Sequence, residues 1–127
     1  MKKLNNYFLL FAFGLLLNAC TYDFIVKEEL KPVDPTVSIL FATQVAPIFT
    51  SNQYTCTSCH KPGGQSPDLT VANVFNSLNT LKLIDTTTPA SSKILTFPGS
   101  ASHSWAKLSA SEAQLILTWI QQGAKNN

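Results

Sequence analysis

Apolar residues recur at intervals of three and four along much of the chain after residue 35, a spacing that predicts short helices. One such segment runs from Thr36 to Thr50, and Pro47 is expected to kink or shorten its helix near the end. A second runs from Leu69 to Leu78. The apolar stripes of these two segments consist of Phe41, Val45, Ile48 and Phe49, and of Val71, Val74, Phe75 and Leu78. No two segments alternate apolar and polar residues as paired strands do, so the pattern predicts an all-α domain over residues 36–127.

Proline and glycine divide the middle of the chain into loops and a third, short helix. Lys61 to Pro67 is predicted to be a loop because Pro and Gly cluster there. Thr88 followed by Pro89 is typical of a helix start, with the threonine as N-cap and the proline at the first helical position. The short helix that follows is expected to end at Pro98-Gly99.

The last helix has the clearest end signals. Ser109 and, three residues later, Glu112 have the pattern of a capping box, and Gly123 is typical of a helix C-terminus. The buried face is expected to consist of Leu115, Ile116, Trp119 and Ile120. We interpret Trp119 as core or cofactor packing, not as a catalytic residue. Residues 124–127 are predicted to be a frayed end.

The N-terminal residues have the organisation of an export signal. A positive start, Met-Lys-Lys, precedes an apolar run from Tyr7 to Leu17, which has the length of a signal peptide. The run is too short to cross a bilayer, which requires roughly 20 apolar residues. It ends in Leu-Asn-Ala-Cys, which is similar to a bacterial lipobox. We expect residues 1–19 to be the signal peptide and Cys20 to be lipidated and to become the mature N-terminus. The alternative is an ordinary cleaved signal in which Cys20 is incidental.

Export places the remaining chain outside the cytoplasm. We expect the protein to be lipid-anchored to a bacterial membrane, facing the periplasm or the cell surface. Residues 20–35 mix charges and two prolines without a sustained period, which predicts a tether between the lipid and the domain. In the alternative interpretation Phe24, Ile25 and Val26 pack on the domain as a short strand.

Composition and charge narrow the classes of function. Among the 127 residues are nine lysines, no arginine and seven acidic residues, and loss of Lys2 and Lys3 with the signal leaves equal numbers of each sign. A neutral chain without arginine lacks the basic patch of a nucleic-acid-binding protein, so we expect no nucleic-acid partner. The length excludes a large multi-domain enzyme, and three cysteines are too few for a disulfide scaffold.

Cys56, Thr57, Ser58, Cys59 and His60 form a C-x-x-C-H motif, the attachment pattern of c-type haem. Two residues between the cysteines place both sulfurs on one side of a helical turn, where each can bond a vinyl group. The histidine that follows can then ligate the iron. We expect one covalently attached haem c, with Cys56 and Cys59 as anchors and His60 as an axial ligand. If Cys20 carries lipid, no free thiol remains in an oxidising compartment.

Other uses of these side chains have less support. A thioredoxin-like dithiol would need a βαβ context, and none is visible in the sequence around Cys56. A zinc site would need four ligands, which Cys56, Cys59, His60 and His103 could supply. A plain disulfide between Cys56 and Cys59 is the remaining alternative.

The second axial ligand follows from the residues that the mature chain retains. Met1 is the single methionine and leaves with the signal peptide, so methionine ligation is excluded. His103 is the one histidine besides His60, and it lies in the Gly/Ser-rich stretch PGSASHSWAKLS. We expect His60 and His103 to form the axial pair; the alternative is water or an open sixth position. Pro62 is a candidate to orient His60 through its backbone carbonyl.

These features resemble the cytochrome c superfamily and, more narrowly, the small lipoprotein-type c domains of Bacteroidota and related bacteria. The resemblance covers residues 36–127 and rests on the stretches VAPIF (45–49), CTSCH (56–60) and WIQQGA (119–124). It implies a cytochrome c-like fold of several short helices around one haem, and electron transfer in the periplasm or at the surface. Many members carry a Met-Pro segment before the last helix; this chain has none, which makes His103 the substitute by position.

The resulting hypothesis is an electron carrier rather than an enzyme: a membrane-anchored monohaem cytochrome that exchanges single electrons with redox partner proteins. Two imidazole ligands imply a lower reduction potential than histidine with methionine. One alternative is an open-site haem protein, peroxidase-like or a small-ligand sensor, in which His103 points away or acts as an acid–base group. No arginine lies beside His103, which disfavours a peroxidase-like pocket. Another alternative is an accessory haem subunit docked permanently to a larger redox enzyme.

Overall fold

The structure, a computed structural model, describes residues 33–50 and 56–127. Within these ranges the chain is helical and contains no strand, so the all-α prediction is confirmed there. The described residues form three α-helices, α1 (Val74–Thr80), α2 (Lys93–Thr96) and α3 (Ala110–Gln121), accompanied by shorter helical turns. No helix of the described ranges is long and apolar enough to span a membrane. The predicted signal peptide, Cys20 and most of the tether lie outside these ranges.

The first predicted helix is a wide turn followed by a tight one. A π-helical turn, Phe41–Val45, continues directly into a 3-10 helix, Ala46–Thr50, so the segment begins at Phe41 rather than at Thr36. Pro47 lies where the geometry changes, and because it has no N–H it cannot continue the hydrogen bonds of a regular helix. The predicted apolar face is confirmed, since its members are all buried: Phe41, Val45, Ile48 and Phe49.

The second stripe becomes helical only in its C-terminal half. Asp68 turns the chain first, because its Oδ1 accepts hydrogen bonds from the backbone N–H of Thr70 at 2.9 Å and from its hydroxyl at 2.6 Å. α1 therefore begins at Val74. Val71 lies before the helix and is 62% exposed, so its assignment to the buried face was wrong. Val74 and Leu78 are fully buried, as predicted, and Phe75 is half-buried.

The third predicted helix is divided at Ser92. Thr88 and Pro89 begin a helical segment as predicted, but it is a 3-10 helix, Pro89–Ser91. Thr88 has the predicted N-cap position, but its side chain makes no capping hydrogen bond, because its hydroxyl donates to the Asp85 carboxylate at 2.6 Å. Ser92 is extended, with ψ of 131°, and its hydroxyl oxygen accepts from the Asp85 backbone N–H at 2.9 Å before α2 begins. Gly99 follows α2 with φ of +81°, in agreement with the predicted stop.

Both end signals of α3 are confirmed. The Ser109 hydroxyl oxygen accepts from the Glu112 backbone N–H at 3.2 Å, and the Ser109 backbone N–H donates to the Glu112 carboxylate at 2.7 Å. This is the reciprocal pair of a capping box. At the other end Gly123 adopts φ of +94°, and the Ala124 N–H donates to the Trp119 carbonyl at 3.0 Å. The reversal satisfies a carbonyl that the helix itself leaves without a partner.

The last residues are ordered against the fold, which corrects the prediction of a frayed end. The Asn127 backbone carbonyl accepts from the Ala42 N–H at 2.9 Å, and its side-chain oxygen accepts from the Phe41 N–H at 2.9 Å. The first N–H groups of a helix have no partner within that helix. Asn127 therefore caps the first helical segment, a contact between the two ends of the described chain.

Gln122 makes a second connection between α3 and the start of the domain. Its side-chain oxygen accepts from the Ile39 N–H at 2.8 Å. Its amide nitrogen donates to the carbonyls of Val37 at 2.9 Å and Pro35 at 3.1 Å. These bonds hold the residues before the first helical segment in place.

Trp119 is at the centre of the apolar core. Its ring centroid lies 5.0 Å from that of Phe41 and 6.5 Å from that of Phe75, and its indole N–H donates to the Lys125 carbonyl at 2.8 Å. The predicted face of α3 is confirmed, with Ile116, Trp119 and Ile120 buried and Leu115 half-buried. Trp119 lies in the core and not among the residues that line the cavity described next.

Candidate cofactor site

The C-x-x-C-H motif forms one helical turn. A 3-10 helix, Cys56–Ser58, leads to His60, whose backbone N–H donates to the Cys56 carbonyl at 2.8 Å. Cys56 is half-buried, Cys59 is exposed, and both thiols are free. Burial raises the pKa of the Cys56 thiol, and the Glu112 carboxylate adds a smaller upward contribution. Cys56 is therefore a protonated thiol at neutral pH.

The loop that follows folds back on this turn. The Cys59 carbonyl accepts from the Gln65 N–H at 2.8 Å, and the His60 carbonyl accepts from the Leu69 N–H at 3.0 Å. Gly64 lies against the Cys59 carbonyl, with no space there for a side chain. The loop, predicted from its Pro and Gly content, thus holds the backbone of Cys59 and His60.

The two ring nitrogens of His60 have different roles. Nδ1 lies 3.0 Å from the Pro67 carbonyl oxygen. Because a carbonyl only accepts hydrogen bonds, Nδ1 carries the proton and Nε2 retains a lone pair that can bind a metal ion. The orienting carbonyl belongs to Pro67, so the prediction that Pro62 would orient the ring was wrong. Pro67 is placed for this by the loop, which returns to the motif before α1.

His103 lies opposite, at the end of the 3-10 helix Ala101–His103. Its ring centroid is 6.0 Å from that of His60, with the ring planes inclined by 26°. Two imidazoles bound on opposite sides of one metal ion, at about 2 Å per bond, place their centroids roughly 6 Å apart. His103 Nδ1 is buried and has no hydrogen-bond partner in the described ranges. Such an unpaired atom costs about 1–3 kcal/mol, which a bound group that interacts with it would offset.

All four predicted haem-binding residues, Cys56, Cys59, His60 and His103, line a single cavity of about 680 Å³. Most of its remaining wall is apolar, with contributions from Ile48, Phe49, Leu69, Leu83, Ile94 and Leu108. A cavity of this size, apolar with a few convergent polar groups, is typical of a cofactor site. Folding thus brings together two segments that are distant in the sequence.

The chemistry of these residues fits a c-type haem. The apolar wall suits a macrocycle, the two thiols of one turn suit its vinyl groups, and His60 Nε2 suits its iron. His103 supplies a second imidazole at the matching distance.

The structure gives no support to the zinc and disulfide alternatives. In residues 33–50 and 56–127, no three His, Cys, Asp or Glu side chains are grouped so that they could hold a metal ion. Cys56 and Cys59 are not joined by a disulfide.

Several residues of the cavity wall were not singled out from the sequence. Phe97 and Trp105 lie beside His103, with ring centroids 4.7 Å and 6.0 Å from its own, and they are 51% and 60% exposed. Their sequence signal was two aromatic residues within a few positions of a candidate ligand. Lys93 and Lys107 also line the cavity, and nothing in the local sequence distinguishes them from other lysines.

A scan against protein-family models, a search of curated proteins and a search of solved structures each returned no match to this chain. The likeness to cytochromes c therefore stays a prediction that rests on the motifs of the sequence.

Proposed function

We propose that this chain is a monohaem c-type cytochrome that carries single electrons between redox partner proteins outside the cytoplasm. A lipid on Cys20 would anchor it to a bacterial membrane. One observation carries the proposal: Cys56, Cys59, His60 and His103 converge on a single apolar cavity. The helical architecture without strands in the described ranges agrees with a cytochrome c-like fold, which is part of the proposal.

In this proposal Cys56 and Cys59 attach the cofactor covalently. Each thiol would form one thioether bond by adding its sulfur to one vinyl carbon and its hydrogen to the other. Such an addition would need no oxidant and release no leaving group. The protonated state of Cys56 is compatible with this chemistry, because the thiol supplies the hydrogen.

His60 and His103 would hold the iron through one imidazole nitrogen each. The Pro67 carbonyl fixes the tautomer and the orientation of the His60 ring, and Phe97 and Trp105 lie beside the His103 ring. When bound, the haem supplies a one-electron iron couple. The apolar wall would limit water around the iron and favour the less charged, reduced state, whereas two imidazole ligands would lower the potential relative to a His/Met pair.

Exposed side chains of the cavity wall define where electrons can enter and leave. Cys59 is exposed, and Phe97 and Trp105 are more than half exposed. A partner protein can therefore approach the cofactor closely at this opening without a conformational change of the domain.

Covalent attachment can be tested with two cysteine variants made in a host competent for c-type haem maturation. Wild-type protein is expected to retain haem on a denaturing gel, and Cys56→Ser/Cys59→Ser is expected to lose it. Cys20→Ser is the matched control, which should keep the haem but leave the membrane fraction. A wild-type protein without covalent haem in this host contradicts the proposal. A Cys20→Ser protein that stays in the membrane with an unchanged N-terminal mass contradicts the lipid anchor alone.

One observation favours an open-site haem protein as the second candidate. His103 Nδ1 has no hydrogen-bond partner in the described ranges, so no such bond orients this ring as Pro67 orients His60. Optical spectra before and after addition of carbon monoxide separate the two candidates. An electron carrier should give low-spin bands that carbon monoxide does not change, and His103→Ala should convert it to a form that binds the gas. High-spin ferric bands and ready binding in the wild type would favour the open site.

A further inference from the structure

Lys93 and Lys107 are the charged side chains among the described residues that line the 680 Å³ cavity. The lining includes no aspartate and no glutamate from the described ranges. An apolar cavity whose only formal charges are positive is suited to a ligand with an apolar body and anionic substituents. The positive charge of the cavity wall therefore indicates an anionic ligand, and this argument does not depend on the thiols or the imidazoles.

The position of Lys107 is coupled to the segment that carries His103. A Cβ added to Gly99 would lie 3.4 Å from Lys107 Cγ, so the stem of the lysine passes over this glycine. The Gly99 N–H in turn donates to the His103 carbonyl at 3.1 Å. A long apolar stem that lies on the protein surface leaves its ammonium group near water, and Lys107 is exposed at the cavity wall.

The covalent anchors determine which edge of the ligand can reach the lysines. In a haem the two carboxylate side chains lie on the edge opposite the two vinyl groups. With Cys56 and Cys59 on the vinyl edge, the carboxylates would lie away from the motif turn. Lys93 and Lys107 line the cavity outside this turn and are the described cationic side chains that such carboxylates could reach.

We infer that Lys93 and Lys107 bind the two propionate carboxylates of the haem and thereby position its outer edge and raise its reduction potential. The inference rests on the proposed function. A positive charge near the haem favours the ferrous state, which is less positive than the ferric state, and an ammonium group beside a carboxylate favours the ionised carboxylate. Both effects are measurable on the loaded protein without any assay of turnover.

The test is spectroelectrochemical titration of the matured protein between about pH 4 and 9, with the variants Lys93→Gln, Lys107→Gln and the double variant. Lys125→Gln is the matched control, because Lys125 is exposed and does not line the cavity. Each cavity variant should lower the potential at neutral pH, and the double variant should lower it most. The pH at which the potential begins to depend on protonation should rise by about one unit or more. Lys93→Arg and Lys107→Arg should restore wild-type values.

The outcomes separate this inference from the proposal on which it rests. If the wild type carries covalent haem but Lys93→Gln and Lys107→Gln shift the potential and the protonation step no more than Lys125→Gln does, the lysine assignment is overturned and the cytochrome stands. If the wild type carries no haem, both are overturned. Recovery by arginine shows that the charge is required, and failure of arginine to restore the potential would also count against carboxylate binding.

Discussion

Replacement of Gly64 by alanine tests how the loop after the motif holds the cofactor site. A Cβ at this position would overlap the carbonyl oxygen of Cys59 and lie 3.2 Å from that of Lys61. Both are backbone atoms, so the overlap can be relieved only by movement of the loop or of the turn that carries Cys59 and His60. The neighbouring Gly63 is a matched control, because a Cβ there meets nothing within 4 Å although φ is +75°.

The two substitutions are expected to lower the free energy of unfolding by different amounts. Overpacking in a well-packed region costs about 1–3 kcal/mol. Movement of the Cys59 carbonyl also weakens its hydrogen bond from the Gln65 N–H, now 2.8 Å long and contributing about 1 kcal/mol. We therefore expect Gly64→Ala to lower the free energy of unfolding by about 2–4 kcal/mol. Gly63→Ala should lower the free energy of unfolding by about 1–2 kcal/mol, because alanine disfavours the left-handed backbone conformation at this position. This substitution leaves Cys59 in place.

The assay combines denaturant unfolding of both variants with the ratio of covalent haem to protein after maturation. Gly64→Ala should lose both stability and haem content, because Cys59 and His60 move with the turn. Gly63→Ala should lose some stability and keep its haem content. A Gly64→Ala protein with wild-type unfolding free energy and haem content would refute the reasoning. If both variants lost haem equally, the cause would be a changed loop conformation and not the overlap of the Gly64→Ala Cβ with the Cys59 carbonyl.

Three further predictions concern the fold around the site. Trp119→Phe should lower the free energy of unfolding by about 2 kcal/mol in denaturant titrations, because it leaves a backbone carbonyl unpaired and a void in the core; a change below about 0.5 kcal/mol would contradict the core assignment. Gln122→Ala should cost about 1–2 kcal/mol and speed amide exchange just before the first helical segment, and unchanged exchange would argue against its three bonds. Hydrogen bonds from Thr88 and Thr87 hold the pKa of Asp85 well below its usual value, so its stabilising effect is present above about pH 4 and is lost as the pH falls further. Melting temperatures between about pH 5 and 2 should therefore fall less steeply in Asp85→Asn, and parallel curves would exclude this contribution.

The parts of the fold that were predicted correctly depend on interactions between near neighbours. The capping box of Ser109 and Glu112 and the reversal at Gly123 each involve residues within one or two turns, so the sequence pattern contains the whole interaction. The start of α1 at Val74 also depends on near neighbours, namely on the turn that Asp68 makes with Thr70. The apolar stripe begins earlier in the sequence than the helix does, so it did not indicate this start. An apolar period predicts a face and is weaker evidence for where a helix begins.

The missed features of the fold are contacts between distant parts of the chain. Asn127 looked like part of a polar tail, yet it caps the helical segment that begins at Phe41. Gln122 was assigned no role from the sequence, yet its amide bonds the backbone before that segment. A polar side chain that finds a backbone partner far away in sequence has no local pattern, so only the packed structure reveals it.

The candidate site likewise combines features that local sequence predicts with features that only the fold reveals. The cysteines and His60 were predictable because the motif places them on one turn, and His103 was predicted because the single methionine, Met1, was expected to leave with the signal peptide. Their meeting at one cavity required the fold. The carbonyl that orients His60 was assigned to Pro62 and belongs to Pro67, because which residue of a loop returns to the ring depends on the path of the backbone.

The two histidines are held by different means, and this difference has a consequence for how the site is built. His60 is oriented without any cofactor, because its Nδ1 proton is bonded to Pro67 and its backbone carbonyl to the Leu69 N–H. The segment of His103 is held mainly by its own short-range bonds, such as that from the Gly99 N–H, while the ring has aromatic neighbours and a buried Nδ1 without a hydrogen-bond partner among the described residues. If the proposed haem is bound, the ordered motif turn would hold it, and the orientation of the His103 ring would depend on the cofactor more than that of the His60 ring does.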